Sequence, residues 1–327
     1  MKRIFQHLAL SSALALGAIG FTAPISTIAA PAINIQSVLQ QERTWAGLNT
    51  KRIKVEGIDW AYSEGGSQSK PVIILIHGLA GSRDNWNRVA RYLTPNYHVI
   101  IPDLPGQGDS KVSADFDYSI PNLTEKLRRF AEAIHVDKNP HIAGHSMGGA
   151  IALLYAAQYP LDTKSLFLID SAGVFKSANT PYLKDPNRLR EFIVSKPGDF
   201  DRLFKVATTM PPFIPNELKV EQEKLMISNV ANNTRLVEQL IIMSNTYTPD
   251  TFALAARSID QPVLIAWGDK DQIINVEAAD ELKSLLKNAQ TPIILKGVGH
   301  TPILEQEQIL VQHGFVAQRF EMQSAPN

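Results

Sequence analysis

Ser146 stands in the run Gly144-His145-Ser146-Met147-Gly148, a serine with glycine two residues to either side. A hydroxyl is a poor nucleophile near neutral pH until an imidazole takes its proton, and that imidazole must be held in one tautomer by an acid. The glycines suit a tight turn between a strand and a helix, where side chains at those positions would strike neighbouring backbone. Downstream, Trp267-Gly-Asp-Lys-Asp271 supplies a carboxylate and Gly297-Val-Gly-His300 supplies the imidazole. Each follows a short apolar run, so both side chains are expected on loops at the carboxyl ends of strands, where open α/β sheets place their sites. The chain order is Ser, Asp, His, one of the orders serine hydrolases use. Ser146 therefore reads as nucleophile, His300 as base and Asp271 as the acid that orients the base.

Asp269 and Asp170 also stand just behind apolar runs and compete for the acid's role; Asp271 is preferred. The tetrahedral intermediate needs N–H donors already aimed at its oxyanion. Met147, just after the nucleophile, and Leu79, in His77-Gly78-Leu79-Ala80-Gly81, are the expected donors. His77 reads as a brace for that loop, Trp86 as core packing, and Asp103 in Pro102-Asp-Leu-Pro-Gly-Gln-Gly108 as a loop brace. His7, His98, His135, His141 and His313 read as ordinary histidines. With no H-E-x-x-H, carboxylate cluster or phosphate-cradling glycine loop, no metal and no cofactor is implied.

The elements that must position these residues alternate. Val72–Ile76, His98–Ile101, His141–Ala143, Ser165–Ile169, Pro262–Trp267 and Thr291–Leu295 are short apolar runs ending in turn residues, as strands buried on both faces require. A further strand near the sheet edge is expected over Arg52–Tyr62, after an amphipathic approach segment from Ile33 to Leu48. Leu123, Leu127, Phe130, Ala131 and Ile134 share a helix face, with Asn122 as cap and Glu125 three residues on. A helix is also expected over Val276–Leu286. Together they predict an α/β fold, a doubly wound and mostly parallel sheet. The strand rhythm stops over 174–259, where helical stretches are broken by Pro181, Pro186, Pro197, Pro211, Pro212, Pro215 and Pro249. That segment is read as a helical cap inserted between core parts 33–173 and 260–327. Its Met210-Pro-Pro-Phe-Ile-Pro215 offers apolar surface, with Phe213 as a substrate contact.

Of 327 residues, 44% are hydrophobic and 20% charged, as in a globular enzyme, and Lys plus Arg equals Asp plus Glu at 32 each. No basic stripe is present to follow a phosphate backbone, so nucleic acid is not an expected partner. The absence of cysteine excludes disulfides and thiolate catalysis. Lys2 and Arg3, the apolar run Leu8–Phe21 and the small residues Ala29, Ala30 and Ala32 form a secretory leader over 1–32, with cleavage after Ala32. The same run also fits an uncleaved membrane anchor. Export to the periplasm or medium is the expectation.

As a set, His77-Gly78-Leu79, Asp103-Leu-Pro-Gly106, Gly144-His-Ser-Met-Gly148, Gly268-Asp-Lys-Asp271 and Gly299-His300 resemble the α/β-hydrolase superfamily, from about Arg52 to a final helix near Phe320. Through Trp267-Gly-Asp-Lys-Asp-Gln272, Gly299-His300 and Pro211–Pro215 the chain is also similar to bacterial lipases and esterases and to membrane-associated monoacylglycerol lipases. The resemblance implies a serine hydrolase of acylglycerols or related carboxylic esters, with the cap forming the acyl pocket. A lipid substrate would bring it to a membrane or lipid interface. The alternatives are another serine hydrolase of this fold, such as a carbon–carbon bond hydrolase or perhydrolase, or a ligand-binding protein that keeps the scaffold without turnover.

Overall fold

The computed structural model describes residues 34–315 apart from 137 and 138. The expected leader over 1–32 and the end of the expected final helix near Phe320 lie outside the described residues.

Eight strands are described: β1 Leu48–Val55, β2 Ile58–Gly65, β3 Val72–Ile76, β4 His98–Pro102, β5 His141–His145, β6 Ser165–Ile169, β7 Val263–Gly268 and β8 Ile293–Leu295. They form one sheet in the order β1-β2-β4-β3-β5-β6-β7-β8. Strands β3 to β8 run parallel, and the β1–β2 hairpin joins β4 antiparallel. The continuous apolar runs serve two layers because successive side chains point to opposite faces. Ile74 and Ile76 join one core cluster with Ile142, Leu166, Leu168 and Ile265, whereas Ile73 and Leu75 join a second with Val99, Ala143 and Leu264.

The helices that cover these layers are α1 Ile35–Trp45, α2 Asn87–Leu93, α3 Ile120–Ala133, α4 Met147–Gln158, α10 Glu277–Leu285, α11 Pro302–Glu305 and α12 Glu307–Leu310. Between β6 and β7 come α5 Pro181–Lys184, α6 Asp199–Ala207, α7 Asn216–Ser228, α8 Val230–Thr246 and α9 Pro249–Arg257, so the strand-free stretch is helical. Pro181 and Pro249 open α5 and α9 rather than break helices, since a first-turn residue needs no N–H donor. No helix among the described residues is long and apolar enough to cross a membrane.

Two local expectations are corrected. The strand expected over Arg52–Tyr62 is a hairpin, turned by Glu56 and Gly57 with φ of 47° and 80°. Positive φ at both central residues is what a two-residue hairpin requires, and Glu56 disguises the turn because it is an uncommon residue there. Helix α3 is capped by Ser119, whose hydroxyl accepts from the Asn122 N–H, and not by Asn122. Pro121 fits the first turn, so the helix starts earlier, and the Asn122 amide donates instead to the Asp117 carbonyl.

The sheet ends differ. At one end the outer strand β1 exposes Asn49 to Arg52; at the other, β8 has three residues.

Candidate active site

Ser146 sits between β5 and α4 with φ of 54° and ψ of −123°, a strained conformation for a residue with a Cβ. Its N–H donates to Ile169 O at 3.0 Å, while its carbonyl accepts from Gly149 and Ala172 N–H at 2.8 and 2.9 Å. The flanking glycines allow the turn. A Cβ on Gly144 would stand 2.2 Å from Gly148 O, and one on Gly148 would stand 2.3 Å from Ile76 O. The Ser146 hydroxyl thus projects at the carboxyl end of the sheet.

His300 reaches it from the loop after β8, with Nε2 2.9 Å from Ser146 Oγ. Its Nδ1 lies 2.8 Å from Asp271 Oδ2. Asp271 Oδ1 accepts from the Ile273 and Ile274 N–H groups at 2.7 and 3.0 Å, which aims the other oxygen at the imidazole. Serine, imidazole and carboxylate form a continuous hydrogen-bonded line. This line can take a proton from Ser146 as it attacks a carbonyl, hold the resulting imidazolium beside a carboxylate, and return the proton to a leaving group.

The loop expected to complete an oxyanion site packs on Ser146, since a Cβ on Gly78 would stand 3.0 Å from Ser146 Cβ. Leu79 and Met147 line the same cavity as Ser146 and His300. Met147 opens α4, so its N–H is among those a helix start leaves without an intrahelical acceptor. His77 braces the loop: its Nδ1–H donates to Gly78 O at 2.9 Å, and its Nε2 accepts from Leu104 N–H at 3.0 Å. Burial lowers its pKa to about 4, which keeps it neutral for both bonds.

The competing acids separate clearly. Asp269 accepts from Gly297 N–H at 2.6 Å and faces Lys296, so it shapes the loop before His300 without touching the imidazole. Asp103 is paired with Arg83 and accepts from Arg83 and Asp109 N–H groups at 2.6 and 2.8 Å, bracing its loop. Trp86 is fully buried in the core. Asp170 is different. It is fully buried, and its carboxylate comes within 4.8 Å of both the Asp271 carboxylate and a His300 ring nitrogen. Burial first, and then the Asp271 charge, push its pKa well above the usual carboxylate range.

Two supporting residues had no signal in the sequence. His145 Nε2 lies 2.6 Å from the backbone oxygen of His300. Glu305 accepts from Thr209, Met210 and Gly299 N–H groups at 2.8, 2.7 and 3.1 Å, tying the His300 loop to the end of α6. His145 was legible only as the filler of a glycine-serine motif, and Glu305 only as one acid among many.

Ser146, His300, His145, Leu79 and Met147 open onto one cavity of about 970 Å³. Ala150, Leu154 and Gln158 line it at four-residue intervals along α4; Leu240 and Met243 of α8 and Tyr247 just beyond line it too. Phe213 is 89% exposed and so forms rim rather than wall.

Residues 71–307 match the alpha/beta hydrolase fold family. The chain belongs to that family. It is 33% identical over 305 residues to Lipase 3 of Moraxella sp. (strain TA144), spanning 92% of this chain and 94% of that one. It is 28% identical over 275 residues to monoacylglycerol lipase ABHD6 of Mus musculus, spanning 81% and 80%. Among solved structures, a protein assigned as a lipase from Acinetobacter baumannii AYE matches with a TM-score of 0.88 at 61% identity, over 89% and 97% of the two chains. A bacterial membrane phospholipase A matches with a TM-score of 0.81 at 36% identity, over 88% and 90%.

Proposed function

We propose that this enzyme cleaves monoacylglycerols and related medium-chain carboxylic esters, with Ser146 forming an acyl-enzyme, His300 acting as base and then acid, and Asp271 orienting His300. Hydrolysis of carboxylic esters, as a lipase or esterase, is the shared activity of its named relatives, and the chain is a carboxylic-ester hydrolase. In this reading the Leu79 and Met147 N–H groups hold the oxyanion, and segment 174–259 is the cap that encloses the acyl chain. The alternatives of another serine chemistry or of ligand binding without turnover have no comparable support.

The observation that carries the substrate reading is the cavity's course along α4. From Ala150 to Gln158 a helix rises about 12 Å, and an extended acyl chain advances about 1.3 Å per methylene, so roughly ten carbons fit beside it. Each buried CH₂ contributes about 0.8 kcal/mol, so four further methylenes raise kcat/KM about a hundredfold if they are buried in the transition state. Gln158 is exposed, so this arm opens to solvent and longer chains emerge from it.

The test is kcat/KM across a series of aryl esters and monoacylglycerols of increasing acyl length, with matched phospholipids and amides. The expected profile climbs to about ten to twelve carbons and then levels. Leu154→Trp should truncate the climb, and Phe213→Ala should alter it little. A flat profile in the wild type would end the lipid-ester reading, and a preference for phospholipids would replace glycerides as the substrate. Ser146→Ala retaining turnover would remove the nucleophile assignment.

The leader supports a second proposal, export with removal of residues 1–32. Sequencing the amino terminus of the protein from the periplasm or medium should return Ile33, whereas an intact Met1 in the membrane fraction would favour an anchor.

A further inference from the structure

Two carboxylates share the buried space beneath His300, and their hydrogen bonds are unequal. Asp271 accepts two backbone N–H bonds and the imidazole N–H. Asp170 accepts one, from Gly268 N–H at 3.0 Å through Oδ1. Its Oδ2 is buried and has no hydrogen-bond partner among the described residues. A buried oxygen without a donor, beside a second carboxylate, is a costly place for negative charge. One proton relieves both penalties, and the poorer set of donors decides where it resides.

We propose that Asp170 is a positioning residue of the triad: a neutral carboxylic acid that donates its proton's hydrogen bond to Asp271, and a reserve carboxylate for His300 when the Asp271 charge is removed. The inference rests on the reading of Ser146, His300 and Asp271 as the triad. The acid pair carries a single negative charge. The bond from Asp170 fixes the Asp271 carboxylate in the orientation that its two backbone donors begin, and the charge stays where the imidazolium forms. Replacing Asp271 by asparagine removes the neighbouring charge, which after burial is the second cause of the raised Asp170 pKa. Burial still opposes its ionisation, and the positive charge that forms on the His300 ring, within 4.8 Å, is what draws the Asp170 proton away during turnover. The other ionisable groups facing this space are His300 and Glu305, and His145 on the neighbouring strand is held neutral by burial.

The test compares Asp271→Asn, Asp170→Asn, Asp170→Ala and the double variant Asp170→Asn/Asp271→Asn on any ester the enzyme turns over. The double variant should fall at least about tenfold below Asp271→Asn, since only the latter keeps a carboxylate within reach of His300. Equal rates for the two would overturn the reserve role. Asp170→Asn, whose amide can still donate to Asp271, should retain more kcat than Asp170→Ala, with KM unchanged in both. Its acidic limb of kcat/KM should not move, because no charge is lost. A limb displaced to lower pH by about one unit would show that Asp170 is ionised in the wild type and overturn the proposal.

A second measurement needs no variant to fold and no activity. The infrared spectrum of the wild-type protein at about pH 8, well above the ordinary carboxyl range, should retain a protonated carboxyl C=O band. Absence of that band would overturn the proposal. Because the band is independent of turnover, its loss is distinguishable from failure of the triad reading, which the Ser146→Ala result reports.

Discussion

His145 Nε2–H donates to the backbone oxygen of His300 at 2.6 Å, so the residue preceding Ser146 holds the loop that carries the His300 imidazole. The bond needs a neutral ring with its proton on Nε2. Burial, assisted by the neighbouring His300, lowers the His145 pKa to about 3 and keeps it so. His145→Phe keeps the bulk and loses the donor. We expect kcat to fall about tenfold with little change in KM, because a small displacement of the base is felt mainly in the transition state. His145→Gln should recover part of the loss. Steady-state kinetics showing both variants equally impaired would assign the ring to packing.

Asp271→Asn should lower kcat by about two to four orders of magnitude, because an amide can neither stabilise the imidazolium nor enforce the productive tautomer. Asp269→Asn should stay within about threefold and cost about 1 kcal/mol of stability, as its bond to Gly297 N–H weakens. Kinetics and denaturant titration of both variants check this. The reverse ranking would move the acid to Asp269.

These contrasts mark how far the sequence could be read. That Ser146, Asp271 and His300 would meet was legible because each sits where an apolar run ends, and strand-end loops of a parallel sheet converge at one edge. Strands β3 to β8 were legible for a related reason: burial on both faces demands uninterrupted apolar residues. The β1–β2 turn was not, because Glu56 carries no turn signature and Val55 and Ile58 continue the alternation across it. Asp170 could be weighed as a rival to Asp271 but not as its neighbour, since their proximity depends on the pairing of β6 with β7. Glu305 was invisible because its partners Thr209 and Met210 lie almost a hundred residues away.

Glu305→Gln should loosen the junction between the His300 loop and the end of α6. An amide offers one acceptor oxygen where the carboxylate offers two, and charge-assisted bonds to N–H groups contribute about 1.5 to 3 kcal/mol each. We expect faster hydrogen exchange at the Thr209 and Met210 amides, and a drop in kcat/KM that grows with acyl length. Unchanged exchange at both amides would mean that the carboxylate does not hold this junction.

Stability should decline with acid in a window set by buried histidines. His141, paired with Ser165 at the start of β5, has its pKa lowered by burial to about 4, against about 6.5 in an unfolded chain. Between these values the unfolded chain takes a proton that the folded one refuses. Stability is therefore complete above about pH 6.5 and falls as pH drops toward about 4, by about 1.4 kcal/mol per unit for each such histidine. His77 and His145 act in the same sense, and Asp170, held protonated in the fold, acts in the opposite one. His141→Asn should flatten the slope by about 1.4 kcal/mol per unit below about pH 6 in urea titrations. An unaltered slope would show that His141 is protonated in the folded protein.

The two ends of the sheet bear on how the molecule meets copies of itself. An unpaired strand is a template onto which another chain can add, and charge or shortness at the edge discourages this. Here the outer strand carries Lys51, Arg52 and Lys54, and the opposite end is three residues long and followed by Lys296. Backbone zippering between molecules is thus disfavoured at both ends. Concentrated protein is left with exposed apolar side chains as adhesive surface, and the most exposed of those described, Phe213, lies on the cavity rim. Self-association through Phe213 would then compete with access to the cavity, so micellar detergent or a lipid emulsion should disperse aggregates that salt leaves intact.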